Sequence, residues 1–293
     1  MITVFGASGN TGGAAAATLL ENGEKVRVVG RHGEKLARLV KAGAESAIGD
    51  IEDPAFVRQA LAGAEGAYVL IPPNMGASDF RAYQQRVVDA VAAGVEATGL
   101  RHLVLLSSIG AHHEAGTGPI LGVHAFEQRL NAIHDLDALY LRAGFFMENV
   151  LMGMESVKSA GIYGGPMPAE AAVPMIAAAD IGKYAGARLV RRDFTGKQVV
   201  HLLGPKAFSQ NELVETLTRV TGKPVRYVQV SLDVIEKGLR GSGVSPSTVA
   251  VFMEMYRAAA QGLVAPEAGL PVEHAATSFD AFAKDVIVPA YRA

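Results

Sequence analysis

The chain contains no cysteine among its 293 residues. Disulfides, thiolate nucleophiles and thiolate metal sites are therefore excluded. No apolar run reaches the roughly 18 residues that a membrane helix needs. The 27 basic residues form no dense run and the net charge is −2, so the sequence predicts neither membrane nor nucleic-acid binding. The first predicted strand begins at Ile2, which leaves no room for a signal peptide, and we expect a cytoplasmic protein.

The residues that are present favour a large buried core. Hydrophobic residues make up 49% of the chain and charged residues 19%, which is a globular composition without a disordered share. A chain of this length forms one enlarged domain or two closely packed ones.

A glycine-rich turn between a strand and a helix lies at the start of the chain. Ile2 to Phe5 is predicted to be a buried strand, Gly6, Gly9 and Gly12 follow at three-residue spacing, and Ala14 to Leu20 is predicted to be helical. Glycine allows the backbone to turn and approach a pyrophosphate, and the helix start directs free N–H groups at it. The pattern predicts the first unit of a dinucleotide-binding fold, with an ordinary glycine-rich turn as the alternative. The predicted phosphate-binding residues are Gly6, Ala7, Ser8, Gly9, Asn10, Thr11 and Gly12.

Strands and helices alternate through the first half of the chain. Further strands are predicted at 25–30, 45–49, 66–71, 102–106 and 138–141, with helices at about 34–42, 53–61, 79–98 and 121–133. This alternation favours an α/β fold of the Rossmann type, a doubly wound parallel sheet that binds its ligand at the carboxyl ends of the central strands.

The regular alternation breaks after Arg142. The glycines and prolines of 161–174 predict an irregular stretch, and the segment from 232 to 293 is predicted to form helices broken near 241–243 and at Pro266. We expect residues 1–150 to form the NAD(P)-binding domain and 176–203 to return to it. Residues 151–293 are then expected to form a smaller, mainly helical subdomain that shapes a substrate cleft.

The end of the second strand indicates which dinucleotide is bound. NAD-preferring sites usually place an acidic residue there, whereas this chain has Arg31, with Lys35 one helical turn further on. A guanidinium pairs with a 2′-phosphate and stacks on adenine, so Arg31 favours NADP(H) over NAD(H). The alternative is a solvated loop arginine.

An ordered set of motifs resembles the NmrA-like group of atypical short-chain dehydrogenases/reductases. The motifs are Gly6 to Gly12, Gly49-Asp50, Ser107 to Gly110, Leu141 to Asn149, Asp180-Ile181-Gly182, Gly204-Pro205 and Gly222 to Val225. The resemblance implies cofactor binding over nearly the whole chain. It leaves two activities open, because the group includes NADPH-dependent reductases of quinones, dyes and phenylpropanoids and also regulators that bind the cofactor without turnover.

Two positions along the predicted cofactor path have competing interpretations. By resemblance, Asp50 or its backbone contacts the adenine amino group, and an aspartate that caps the next helix is the alternative. Ile71, Pro72 and Pro73 end the fourth strand, where the ribose on the nicotinamide side should pass. A simple strand stop is the alternative there.

The predicted catalytic residue is His124. No tyrosine has a lysine four positions on, so the chain lacks the Tyr-x-x-x-Lys pair of the wider superfamily. By resemblance, His124 occupies a position where related proteins carry lysine or histidine, with Glu127 one helical turn away. His124 is predicted to bond the ribose, orient the nicotinamide or supply a proton near neutral pH. A structural histidine capped by Glu127 is the alternative, and Ser107 and Ser108 are candidates to hold the ribose or a substrate carbonyl.

Aromatic and thioether side chains after the sixth strand are predicted to form an apolar wall for a planar substrate, with core packing as the alternative. Adjacent His112 and His113 rarely share one ion, and no metal site is predicted. The predicted substrate residues are Asn74, Ile109, Phe145, Phe146, Met147 and Asn149.

The resulting hypothesis is an NADPH-dependent reductase of a small planar electrophile, such as a quinone or an enone. The alternative is a cofactor-binding regulator that acts through a protein partner. A homodimer is expected only because dimers are the commonest assembly.

Overall fold

The computed structural model describes residues 1–292. The strands are β1 (Ile2–Val4), β2 (Val26–Gly30), β3 (Glu45–Ile48), β4 (Gly66–Val69), β5 (His102–Ser108), β6 (Asp137–Ala143), β7 (Phe145–Phe146), β8 (Ile162–Gly165), β9 (Val173–Ile176), β10 (Lys197–Leu203), β11 (Ala207–Phe208), β12 (Arg226–Gln229) and β13 (Val272–His274). The helices are α1 (Asn10–Glu21), α2 (Ala37–Lys41), α3 (Pro54–Leu61), α4 (Phe80–Thr98), α5 (Ile120–Asn131), α6 (Met154–Ala160), α7 (Ala178–Arg191), α8 (Gln210–Thr221), α9 (Leu232–Gly241), α10 (Pro246–Ala260), α11 (Phe279–Phe282) and α12 (Val288–Arg292).

Eight strands form one sheet in the order β13-β10-β6-β5-β4-β1-β2-β3, and every neighbouring pair is parallel. The strand order reverses between β1 and β4, and such a reversal opens a crevice at the carboxyl ends of the strands. This confirms the predicted Rossmann-type doubly wound sheet, with a smaller C-terminal region attached.

Two layers of helices bury the two faces of the sheet. Successive strand residues point to opposite faces, so Leu103 and Leu105 belong to the core cluster that contains residues of α3, α4 and α5, while Val104 belongs to the cluster that contains residues of α1, α2 and α7. Strands buried on both faces read as continuous apolar runs, which is why β4 to β6 were predictable from sequence.

Helix α7 packs closely on α1, the helix that follows the glycine turn. A Cβ on Gly182 would lie 2.2 Å from the Thr11 carbonyl oxygen, and one on Gly186 would lie 2.9 Å from the Thr18 Cβ. Glycine at both positions therefore lets the two helix backbones approach each other. The Asp180-Ile181-Gly182 motif thus fixes the helix that follows the turn.

The C-terminal region differs from its prediction in two places. The stretch 161–174, predicted to be irregular, contains β8 and the start of β9. The segment after 232, predicted to be helical, contains β13, which extends the main sheet beyond β10. β8 pairs with β12, and β9 lies between β7 and β11 in a small second sheet. The partners of these strands lie 30 or more residues away in sequence, so local propensity did not reveal them.

The start of α10 is fastened to the loop that follows β4. Ser245 Oγ donates to the Ala77 carbonyl at 2.5 Å, the Phe80 N–H donates to Ser247 Oγ at 2.9 Å, and Arg81 pairs with Glu254 at 2.6 Å. The C-terminal region is therefore held beside the carboxyl ends of the central strands. Within residues 1–292, no helix combines the length and apolar character needed to cross a bilayer.

Candidate active site

The glycines of the first turn serve different purposes. Gly6 has φ of 64°, and a Cβ there would lie 2.6 Å from the Leu70 side chain. A Cβ on Gly12 would lie 2.4 Å from the Gly6 carbonyl oxygen, so Gly12 is needed for close packing of helix on turn. A Cβ on Gly9 would meet only that same oxygen at 3.4 Å, which is ordinary contact. The protein itself therefore gives no steric reason for glycine at position 9.

The start of α1 is suited to an anion. Gly9 is the N-cap residue, no side chain caps the helix, and the first turn carries no acidic residue. The first N–H groups of the helix consequently have no partner within it, and its dipole favours negative charge at this end. Ser8, Gly9 and Asn10 are exposed, whereas Ala7 and Thr11 are buried beneath them.

Basic and acidic side chains border the predicted adenine end. Arg31 and Lys35 are exposed after β2. Asp50 Oδ1 accepts a hydrogen bond from the Glu52 N–H at 3.0 Å, so this carboxylate stabilises its own turn. Burial raises the pKa of Tyr83 to about 12; the nearby carboxylates of Glu52 and Asp50 also raise it, while Arg31 lowers it.

The loop after β4 forms the next part of the predicted cofactor path. The Tyr83 hydroxyl donates to the Pro72 carbonyl at 2.7 Å and so ties this loop to α4. Ile71, Pro72 and Asn74 are half-buried, and Pro73 is exposed.

The two serines at the end of β5 have partners within the protein. Ser107 is buried, and its hydroxyl donates to Glu127 Oε1 at 2.6 Å. The Ser108 hydroxyl donates to the Ile109 carbonyl at 2.9 Å. The Ser107 hydroxyl is therefore engaged by a buried carboxylate. Ser108 is half-buried, so of the two serines it is the one with surface available to a ligand.

The half-buried side chain of His124 bonds to the loop before its helix. Its Nδ1 lies 2.8 Å from the Ala111 carbonyl oxygen, which can only accept, so Nδ1 carries the proton. In the neutral ring Nε2 is then an acceptor, and protonation makes it a donor. Glu127 does not cap the ring, as the alternative of a structural histidine predicted, because Glu127 instead binds Ser107 and Arg142.

The predicted substrate residues fall into two groups. Phe145 is 39% exposed, and Phe146, Asn149 and Asn74 are half-buried, so these side chains have surface to offer a ligand. Met147 is 0% exposed and Ile109 is 3% exposed. These two could reach a substrate only after a rearrangement, and we place Met147 in the core cluster of the C-terminal region.

A largely buried ion network lies at the ends of β5, β6 and β10, and the sequence does not predict it. Glu127 accepts from Arg142 Nε at 3.0 Å and Nη2 at 2.7 Å, while Arg142 Nη1 donates to Glu267 at 2.5 Å. Burial alone would lower the pKa of Arg142, but the two carboxylates of Glu127 and Glu267 together raise it by more. The pKa of Arg142 therefore lies above its ordinary value. Glu127 and Glu267 are 15 and 125 positions away from Arg142, so no local pattern predicts either ion pair. The sequence indicates only that Glu127 lies one helical turn after His124.

Two histidines lie beside this network. His201 is fully buried, and its Nε2 accepts the Glu267 backbone N–H at 2.9 Å. Burial and the Arg142 charge lower the pKa of His201. Burial, followed by His113, lowers the pKa of His112.

Fold and turn together define a dinucleotide-binding α/β protein. The profile of the NmrA-like family matches residues 1–273, and the chain belongs to that family, as its motifs predicted. Among curated proteins it is 27% identical over 258 residues to an NAD(P)H azoreductase of Xenophilus azovorans, covering 87% of this chain and 86% of the relative. It is 25% identical over 248 residues to quinone oxidoreductase 2 of Escherichia coli, covering 83% and 82%.

Solved structures show the same fold. The NADPH-dependent quinone oxidoreductase of Escherichia coli in complex with NADPH has a TM-score of 0.78 at 20% identity, covering 96% of this chain and 97% of that one. The triphenylmethane reductase of Citrobacter sp. in complex with NADP(H) has a TM-score of 0.76 at 21% identity, covering 100% and 99%.

Proposed function

We propose that the chain is an NADPH-dependent reductase of a small planar electrophile, such as a quinone or an enone. The observation that carries the cofactor claim is the exposed Gly9 at the uncapped start of α1, where a Cβ would meet little of the protein itself. Such a cradle fits a pyrophosphate. Two relatives, an NAD(P)H azoreductase and a quinone oxidoreductase matched over 86% and 82% of their own length, support a reductase.

The predicted residues at the adenine and pyrophosphate end would bind the cofactor. The turn Gly6 to Gly12 would hold the pyrophosphate, and Arg31 with Lys35 would meet the 2′-phosphate. Asp50 would face the adenine. When bound, the cofactor supplies the hydride, so the protein contributes mainly orientation and a water-poor pocket.

The active-site end would be built from the loops after β4, β5 and β6. Pro72, Pro73 and Ser108 would border the ribose, and Phe145 with Asn74 would flank a planar ring. Neutral His124 would accept a hydroxyl hydrogen at Nε2, and its protonated form would donate a proton to the reduced product.

The first test measures binding and turnover separately. NADPH and NADH are titrated by fluorescence, and NADPH absorbance is then followed with a panel of quinones and enones. We expect tight NADPH binding and turnover with at least one acceptor. Binding without oxidation by any acceptor would instead support the cofactor-binding regulator, in which the same turn serves only to sense the cofactor.

Two variants sharpen this test. Arg31→Asp should weaken NADPH binding by about 10- to 100-fold, since a charged hydrogen bond contributes roughly 1.5–3 kcal/mol. NADH binding should be maintained or strengthened, because an acidic residue at this position can accept a hydrogen bond from the ribose 2′-OH. Arg38→Asp, which changes an exposed residue of α2, is the control for nonspecific charge effects.

His124→Ala should lower kcat by about a hundredfold if the ring transfers a proton. Unchanged kcat would leave His124 as a structural residue.

Other proposals concern the whole protein. Three of them remain predictions: the division at residue 150, the cytoplasmic location and the homodimer. Light scattering on the purified protein measures its oligomeric state directly.

A further inference from the structure

The ion network ends in a segment that lies across the loop leading to α5. Glu267 is held twice: its carboxylate binds Arg142 at 2.5 Å and its backbone N–H donates to His201 at 2.9 Å. Arg142 is 7% exposed and in turn binds the fully engaged carboxylate of Glu127. The segment around Glu267 is therefore anchored to the ends of β6 and β10.

That segment also bonds to the loop between β5 and α5. The Gly110 N–H donates to the Ala265 carbonyl at 3.1 Å, and a Cβ on Gly110 would lie 3.0 Å from the Leu263 carbonyl oxygen. From the other side, the Ile109 N–H donates to the Ala143 carbonyl at 3.0 Å. The loop is thus clamped between β6 and residues 263–267.

The next residue of this loop holds His124. The Ala111 carbonyl accepts from His124 Nδ1 at 2.8 Å, and Ala111 directly follows the clamped Gly110. A shift of residues 263–267 would move the Ala111 carbonyl, and with it the hydrogen bond that fixes the tautomer and plane of the imidazole.

We propose that Glu267 is a positioning residue: its carboxylate locks residues 263–267 onto Arg142 and thereby fixes the orientation of the His124 ring. The proposal rests on the proposed function, in which His124 acts at the cofactor. The Glu267 side chain is 40% exposed, and Arg142 keeps its bidentate partner Glu127 when Glu267 is removed. Substitution at Glu267 should therefore leave the folded core intact.

The kinetic test is a double-mutant cycle with Glu267→Ala and His124→Ala. In the native background Glu267→Ala should lower kcat about tenfold with NADPH affinity unchanged, because a misplacement of about 1 Å can cost about a hundredfold. In the His124→Ala background it should have no further effect. Glu267→Asp keeps the charge and should retain more activity. Glu273→Ala removes an exposed carboxylate from nearby β13 and should change nothing.

A second measurement does not depend on turnover. Nitrogen-15 NMR of histidine-labelled protein reports the tautomer of His124, assigned by comparison with His124→Ala. The native ring should be held with its proton on Nδ1, and Glu267→Ala should shift it towards a mixture of tautomers.

The outcomes separate the inference from the function on which it rests. An equal fall in kcat in both backgrounds, or a His124 spectrum unchanged by Glu267→Ala, overturns the inference alone. If His124→Ala leaves kcat unchanged, Glu267 has no catalytic ring to position, and both the inference and the role of His124 fail. Absence of turnover with every acceptor contradicts the reductase, while the NMR result still decides whether Glu267 controls the ring.

Discussion

Gly9 and Gly12 differ in what surrounds the position of a missing Cβ. The space at Gly12 is filled by the Gly6 carbonyl, whereas Gly9 has an extended backbone with φ of −95° and only one contact at 3.4 Å. Any residue can adopt such a backbone, so the protein itself does not require glycine at position 9, whereas close packing requires it at position 12.

This difference predicts separate effects on binding and stability. Gly9→Ala should leave Tm nearly unchanged and weaken NADPH binding about tenfold or more, equivalent to about 1.4 kcal/mol. Gly12→Ala should lower Tm as well, because the turn and helix must move apart. Thermal unfolding and fluorescence titration of both variants provide the comparison, and equal loss of Tm in the two would refute the assignment.

At the scale of elements, the α1–α7 contact links stability to the cofactor turn. Gly182 lies against the Thr11 backbone, and Thr11 is part of the predicted phosphate-binding turn. A side chain at position 182 should therefore push α7 away from α1 and disturb the turn from its buried side.

Gly182→Ala is the test of this contact. It should destabilise the protein by about 1–3 kcal/mol through overpacking and should weaken NADPH binding. Gly238→Ala in α9 is the matched control, because no atom lies within 4 Å of its added Cβ. This control should gain roughly 0.5–1 kcal/mol from helix propensity. Denaturant unfolding measures both, and a stabilised Gly182→Ala would show that the helices separate without cost.

At the scale of the whole molecule, the buried His201 and the half-buried His112 make stability depend on pH. The pKa values of His112 and His201 lie below the ordinary 6.5, chiefly because burial disfavours the charged ring. The unfolded chain therefore binds more protons than the folded one just below pH 6.5. By linkage, this contribution to stability is fully present above that pH and is lost as the pH falls.

Tm measured between pH 7.5 and pH 5.5 should accordingly fall towards the acid end. His201→Gln, which retains an acceptor for the Glu267 N–H, should show a smaller dependence on pH. His134→Gln changes an exposed histidine and should keep the native slope. Equal slopes in all three proteins would assign the pH dependence to other groups.

Local patterns explain what could be predicted from the sequence. The turn at Gly6 to Gly12 and the apolar strands of the main sheet depend on residues close together in the chain, so the sequence predicts both. The strands β8 and β13, and the bonds of Glu127 and Glu267 to Arg142, depend on partners distant in the chain. No local pattern encodes such pairing, so only the structure revealed them.

The late position of β13 has a consequence for how the protein is made. β10 pairs with β6 on one side, but its other edge is covered only when Val272–His274 arrives, some 70 residues later. During synthesis, and in any fragment that ends before residue 272, β10 presents a row of unpaired backbone groups that another chain can join. Once in place, β13 is a three-residue edge strand carrying exposed Glu273, a short and charged border that discourages further strands from adding. Truncations at residue 260 should therefore aggregate more readily than the intact chain.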